Sequence, residues 1–150
     1  MATVAAIHAA LVTLIDGFTA PAGMPTWRRS TTPAMFMRQT ASPTHGAWGL
    51  LWPTVTPTDG SQRASAYVRA EFGILASYQL SPQAGRGATT EEESVEELAD
   101  ALRQHVFAHG SGVNTAGAHL IYTGESREAG LPGWLWLTIR GDARFPITFT

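Results

Sequence analysis

Residues 67–80 constrain the fold more than any other part of this chain. Val68, Ala70, Phe72, Ile74, Ala76 and Tyr78 alternate there with Tyr67, Arg69, Glu71, Gly73, Leu75 and Ser77. A period of two puts the sets on opposite faces of one β-strand, because successive side chains of an extended chain point to opposite sides. One set is apolar and the other mixed, the pattern of a sheet that helices cover on one side. The run exceeds the usual strand of about five or six residues, which predicts a central or a bent strand.

Two helices are available to cover that face. Val4, Ile7, His8, Leu11, Leu14 and Ile15 recur at intervals of three and four, predicting an amphipathic helix over residues 3–16. Thr3 is placed to cap its start, and Gly17 suits a left-handed residue at its end. Further on, Thr89 or Thr90 opens a second helix as a capping box with Glu92 or Glu93. Glu91, Glu92 and Glu93 fall in its first turn, where the helix dipole favours negative charge. Val95, Leu98, Ala99, Leu102 and Val106 form its buried stripe, and Gly110 is placed to end it.

Between the first helix and the long strand, residues 18–65 hold Pro21, Pro25, Pro33, Pro43, Pro53 and Pro57 among Trp27, Trp48 and Trp52. Proline removes a ladder donor and breaks helices, so short strands alone are expected there, around residues 35–40 and 49–52. The tryptophans and Phe36 favour burial over disorder. The segment reads as an ordered, extended arm that gains its packing from a neighbouring chain.

After the second helix, residues 119–123 and 134–140 read as strands around a turn-rich 124–133. Leu135, Leu137 and Ile139 alternate with Trp134, Trp136, Thr138 and Arg140, so both faces start with apolar bulk and at least one tryptophan meets something beyond its own core. Gly141-Asp142 reads as a break. Phe145, Ile147 and Phe149 then alternate again, with Pro146 implying an edge position. The fold class is α+β: a small, mostly antiparallel sheet, an N-terminal helix, a second helix on one face, and a long Pro-rich arm. The whole chain, 1–150, reads as a single domain without internal repeats.

Composition narrows the function. Charged residues make up 15% of the chain, well below the usual quarter, while 44% is hydrophobic. That leaves neutral surface of the kind a neighbouring subunit covers. A formal net charge of −2 is not that of a basic nucleic-acid binder. All ten basic residues are arginine. Two causes fit: a GC-rich codon pool, and the use of guanidinium forks against carboxylates at interfaces. With no cysteine, disulfides, thiolate zinc sites and cysteine nucleophiles are excluded. The N-terminal region has spaced rather than continuous apolar residues and no basic start, so neither a signal peptide nor a membrane span is expected, and synthesis in a cytoplasm is.

Motifs for catalysis are sparse. His105 and His109 share a helix face, yet Gln104 and Val106 flank the first, so the glutamate of a catalytic zinc helix is absent. No serine sits in a nucleophile elbow, and Gly85-Arg86-Gly87 lacks the length and the lysine of a phosphate cradle. The spacing of His8, His45 and His119 indicates no triad. No catalytic, cofactor or metal residue is assigned. Glu91, Glu92, Glu93, Glu96, Glu97 and Asp100 form an acidic helix face. It reads either as solvated, dipole-matched charge or as a partner for arginines of another subunit such as Arg28, Arg29 or Arg127. With Trp27, Trp48, Trp52, Trp134 and Trp136, these arginines and the first three glutamates are the candidate interface.

The order of these elements resembles the tail-terminator, or tail-completion, proteins of long-tailed bacteriophages. It runs from the helix of Val4 to Ile15 through the arm and the strand of Val68 to Tyr78 to the acidic-start helix of Glu91 to His109, and then to strands around Leu120–Tyr122 and Trp134–Ile139. The resemblance is architectural and spans nearly the whole chain. It implies a virion protein, assembled in the host cytoplasm, that forms a ring of six. That ring would cap the tail tube, meet the head-tail connector and let DNA pass through its lumen, with no membrane and no cofactor involved. Six copies at −2 each carry about −12, and an acidic lumen lets DNA slide without sticking. Two alternatives stand beside it: another neck component, such as a head-tail adaptor or minor tail protein, and a small hydrolase or metal-dependent enzyme.

Overall fold

The computed structural model describes residues 3–21, 27–58, 65–80, 88–108 and 117–148, with backbone alone for Ser65 and residues 88–91. In chain order the elements are α1 (Val4–Asp16), β1 (Arg28–Arg29), a 3₁₀ helix (Ala34–Gln39), β2 (Ala47–Pro57), β3 (Ser65–Gln79), α2 (Ala88–Phe107), β4 (His119–Ala129) and β5 (Trp134–Thr148). The strands form one sheet in the order β1-β2-β3-β5-β4. Every pairing is antiparallel except the two-residue contact of β1 with β2. The architecture is α+β.

The apolar set of β3 does what its period predicts. Val68, Ala70, Phe72, Ile74, Ala76 and Tyr78 enter one core with Ile7, Leu11 and Ile15 of α1 and Val95, Leu98, Leu102 and Val106 of α2. Those four α2 side chains are buried, each contributing about 1.5–3 kcal/mol. The helices are joined by His105, whose Nε2 donates to the Leu14 carbonyl at 2.6 Å. Thr3 caps α1 through its Oγ1, which accepts from the Ala6 N–H at 3.1 Å. Gly17 ends α1 with φ −76°, a right-handed value and not the expected left-handed one. The capping box of α2 and Gly110 lie outside the described side chains.

Several further expectations are corrected. Residues 35–40 are not a strand: Ala34–Gln39 is the 3₁₀ helix, with Met37 buried against Leu75 and Trp136 on the sheet face away from α1 and α2. β2 is not short, since Ala47–Pro57 continues through Pro53 and Pro57. β1 pairs only with Ala47 and Trp48, so beyond them β2 is an edge strand whose prolines withhold no ladder donor from an outer neighbour. A register shift between Leu51 and Thr54 takes up the irregularity.

Nor are the last strands short. Gly124 does not begin a turn. With φ 146° it sits at a bulge between Tyr122 and Gly124, and β4 runs on to Ala129. Gly141-Asp142 does not break β5 either. A Cβ at Gly141 would lie 2.7 Å from Phe72 and 2.8 Å from Phe107, so the glycine is there to let α2 pack closely. Pro146 obeys the edge rule locally: β4 pairing ends at Arg144, and beyond it β5 pairs, among the described residues, with β3 alone. Residues 27–58 of the arm lie on their own sheet.

Candidate assembly surfaces

The three tryptophans of the arm are used inside the subunit, whereas Phe36, also expected to be buried, is exposed. Trp27 is half-buried. Its Nε1 donates to the Ile15 carbonyl at 2.9 Å, its ring meets Phe18 edge-on at 5.0 Å, and it stacks on Trp48 at 6.1 Å. Trp52 meets His8 edge-on at 5.3 Å. Trp48 is fully buried in the helix-side core, and Trp136 is covered by the 3₁₀ helix. Neither is an exposed anchor. The apolar bulk on both faces of β5 has its reason within the chain: the sheet has a cover on each side, two helices on one and the short 3₁₀ helix on the other. Trp134 stays half-buried at the start of β5.

Arg127 is likewise spent internally. Its Nε lies 2.6 Å from Glu96 Oε1 and its Nη2 2.7 Å from Glu125 Oε2. Glu125 also accepts from the Tyr122 hydroxyl at 2.6 Å and from Arg103, which in turn pairs with Asp100. Burial alone would raise the Glu125 carboxyl. The bonds from Tyr122, Arg103 and Arg127 outweigh it and hold the group below the ordinary range. The same carboxylate raises the Tyr122 phenol, with burial second. This cluster fastens α2 to β4.

Among the described residues, the face of the sheet away from the helices is covered only by the 3₁₀ helix. The sequence pattern named Arg69, Glu71 and Arg140 on the mixed strand faces but did not point to Arg38, Asp142 or Arg144. The signal for Asp142 and Arg144 was the alternation of Trp136, Thr138 and Arg140, which runs on through the supposed break. Arg69 pairs along its own strand with Glu71 at 3.1 Å and across to Asp142 at 3.9 Å, and Arg144 reaches Asp142 at 3.6 Å. From the 3₁₀ helix, Arg38 donates to Glu128 at 2.6 Å and to the Thr138 hydroxyl at 3.1 Å. Between them lies a recess of about 740 Å³, rimmed by Met35, Arg38, Leu51, Arg69 and Arg140. Met35 is 71% exposed, Phe36 50% and Tyr67 41%.

Arg28 and Arg29 are exposed on β1, at one sheet edge, beside a second recess of about 380 Å³. Glu92 and Glu93 are exposed on α2, near Leu80 and Arg127; the Glu91 side chain lies outside the described set. The histidines stay apart: His8 packs on Trp52, His45 on Tyr78 at 4.7 Å, and His119 starts β4 opposite Arg144. His109 and Gly85-Arg86-Gly87 lie outside the described residues. Among those described, no three His, Asp or Glu residues are grouped to hold a metal, and no helix is long and apolar enough to cross a membrane. No protein-family model matches the chain, and no curated protein matches it.

Proposed function

We propose that this chain is a structural subunit that works by joining copies of itself. Within that class, the best reading is a tail terminator of a long-tailed bacteriophage, a ring that caps the tail tube and meets the head-tail connector while DNA passes through. The open sheet face carries the reading. Among the described residues, β3 and β5, of 15 residues each, are covered by two helices on one side but on the other only by a 6-residue 3₁₀ helix. That leaves Met35 exposed on the rim of a recess large enough to seat side chains of a partner, with Phe36 and Tyr67 exposed as well. A light charge content, 15%, fits a surface meant for covering.

The neck-adaptor alternative is the one that a long proline-rich arm packed by a neighbouring chain would favour. Residues 27–58 are folded onto their own sheet, so that feature no longer favours it. The test is direct. Purified protein is added to tail tubes during polymerisation, and tube length and end structure are followed by electron microscopy. A terminator gives ring-shaped caps at one tube end and stops elongation at substoichiometric amounts. Tubes that grow on, bare at both ends, reject the reading.

A further inference from the structure

We infer that the contact joining neighbouring copies is electrostatic and head-to-tail: exposed carboxylates on α2 of one subunit enter the Arg28–Arg29 edge of the next. This rests on the assembly reading above and names the surfaces that realise it.

The inference starts from which charges the fold leaves uncompensated. On α2, Glu96 is taken by Arg127 and Asp100 by Arg103, whereas Glu92, Glu93 and Glu97 are exposed with no described arginine within pairing distance. Among the described residues, Arg28 and Arg29 likewise have no carboxylate partner. The uncompensated charge of Arg29 is felt nearby: after burial, it is the second cause holding His8 below its ordinary value. The recess beside these arginines is rimmed by Ser30, Thr32, Thr40 and Ser42 and has no acidic residue in its lining. Hydroxyl donors next to two guanidinium groups make a surface that suits carboxylates.

Placement supplies the second argument. β1 is one edge of the sheet. α2 lies over the other side, tied to edge strand β4 by the Arg127–Glu96 and Arg103–Glu125 pairs. Four strand spacings of about 4.8 Å put the two edges about 19 Å apart. Neither patch can sit on a two-fold axis against its own copy, because like charges would then face each other; the two opposite charges are complementary only to one another. They meet when the patch of one copy faces the different patch of the next, the geometry from which rings are built. Such a contact is also salt-sensitive, because exposed pairs are screened as the Debye length falls from about 10 Å at 0.1 M to about 3 Å at 1 M salt.

The experiment uses two variants of the full chain, R28E/R29E and E93R/E97R, with wild type, followed by sedimentation velocity, and by circular dichroism to confirm folding. Wild type is expected as a closed assembly that loosens about tenfold or more at high salt. Each variant alone is expected as a monomer. Mixed in equal amounts, they assemble again with the two variants alternating, since intact acidic meets intact basic at one contact and reversed acidic meets reversed basic at the next. A chain carrying all four substitutions assembles again. Variants that assemble like wild type overturn this contact while leaving the assembly reading standing, and so does a mixture that stays monomeric. A monomeric wild type overturns both. Loss of DNA binding in R28E/R29E with assembly unchanged assigns the recess to nucleic acid and overturns the contact.

Discussion

Trp136 separates two accounts of the same residue, an anchor for a neighbour or a rivet for the subunit's own 3₁₀ helix. It is 5% exposed, in contact with buried Met37 and Leu75, and a Cβ at Gly130 would lie 2.5 Å from its Nε1. W136A removes the largest member of that small cluster. Truncating a buried tryptophan costs about 3–5 kcal/mol, in line with about 200 Å² of lost burial at about 25 cal/mol per Å². For a domain of this size an m-value of about 2 kcal/mol per molar urea turns this into a midpoint lower by roughly 1.5–2.5 M. W134A, at a half-buried site, costs about 1 kcal/mol on the same scale. Both are read by far-UV circular dichroism at a concentration low enough to keep the chain monomeric. Hydrogen exchange at the Thr40 amide, which donates to the Met37 carbonyl at 3.2 Å, reports whether the 3₁₀ helix has come loose. An unchanged midpoint in W136A, with self-association lost, would refute the reasoning: the indole would then be covered by a neighbour instead.

Two further predictions concern pH. The Glu125 carboxyl is depressed in the folded chain, so its contribution is present above the unfolded value of about 4.3 and is lost as pH falls through the lower folded value. E125Q is expected to lower stability by about 1–2 kcal/mol at neutral pH, because Arg103 and Arg127 each keep a second carboxylate, and to flatten the acid limb of melting temperature measured from pH 6 to 3. An acid limb as steep as wild type rejects this. His45 is lowered by burial, and its Nδ1 accepts from the Gln79 amide at 2.9 Å, so protonation breaks a native bond. Stability tied to it is present above the unfolded value of about 6.5 and declines as pH falls through the folded one. Because His8 is lowered too, the informative quantity is the difference between wild type and H45Q across pH 5–7.5, which should narrow toward pH 5.

What could be read from residue order was whatever rested on a period. β3 and both helices were legible because one face of each is buried against many partners, and burial imposes a spacing that survives in the sequence. Boundaries set by glycine and proline were not. Gly124, Gly141, Pro53 and Pro57 are usually punctuation, but here they are a bulge, a close approach to Phe72 and Phe107, and two positions on a free edge. The 3₁₀ helix was hidden for a different reason. Met35, Phe36, Met37 and Arg38 alternate no better as a strand than as a turn, and what decides is the docking of Met37 onto Leu75, a contact between residues far apart in the chain.

The candidate surfaces were half legible for a related reason. An aromatic residue in a sequence advertises burial without saying by whom, and here Trp48 and Trp136 are buried by the chain that carries them. A charge is more informative once partners are known, because an ion pair consumes it. Arg127 looked as free as Arg28 in the sequence; Glu96 and Glu125 account for the first and nothing described accounts for the second. The charges left over, Arg28 and Arg29 on one edge and Glu92, Glu93 and Glu97 toward the other, define a direction across the sheet. A subunit polarised in that way has its lowest electrostatic energy when its copies face the same way around, and a ring is the closed form of that arrangement.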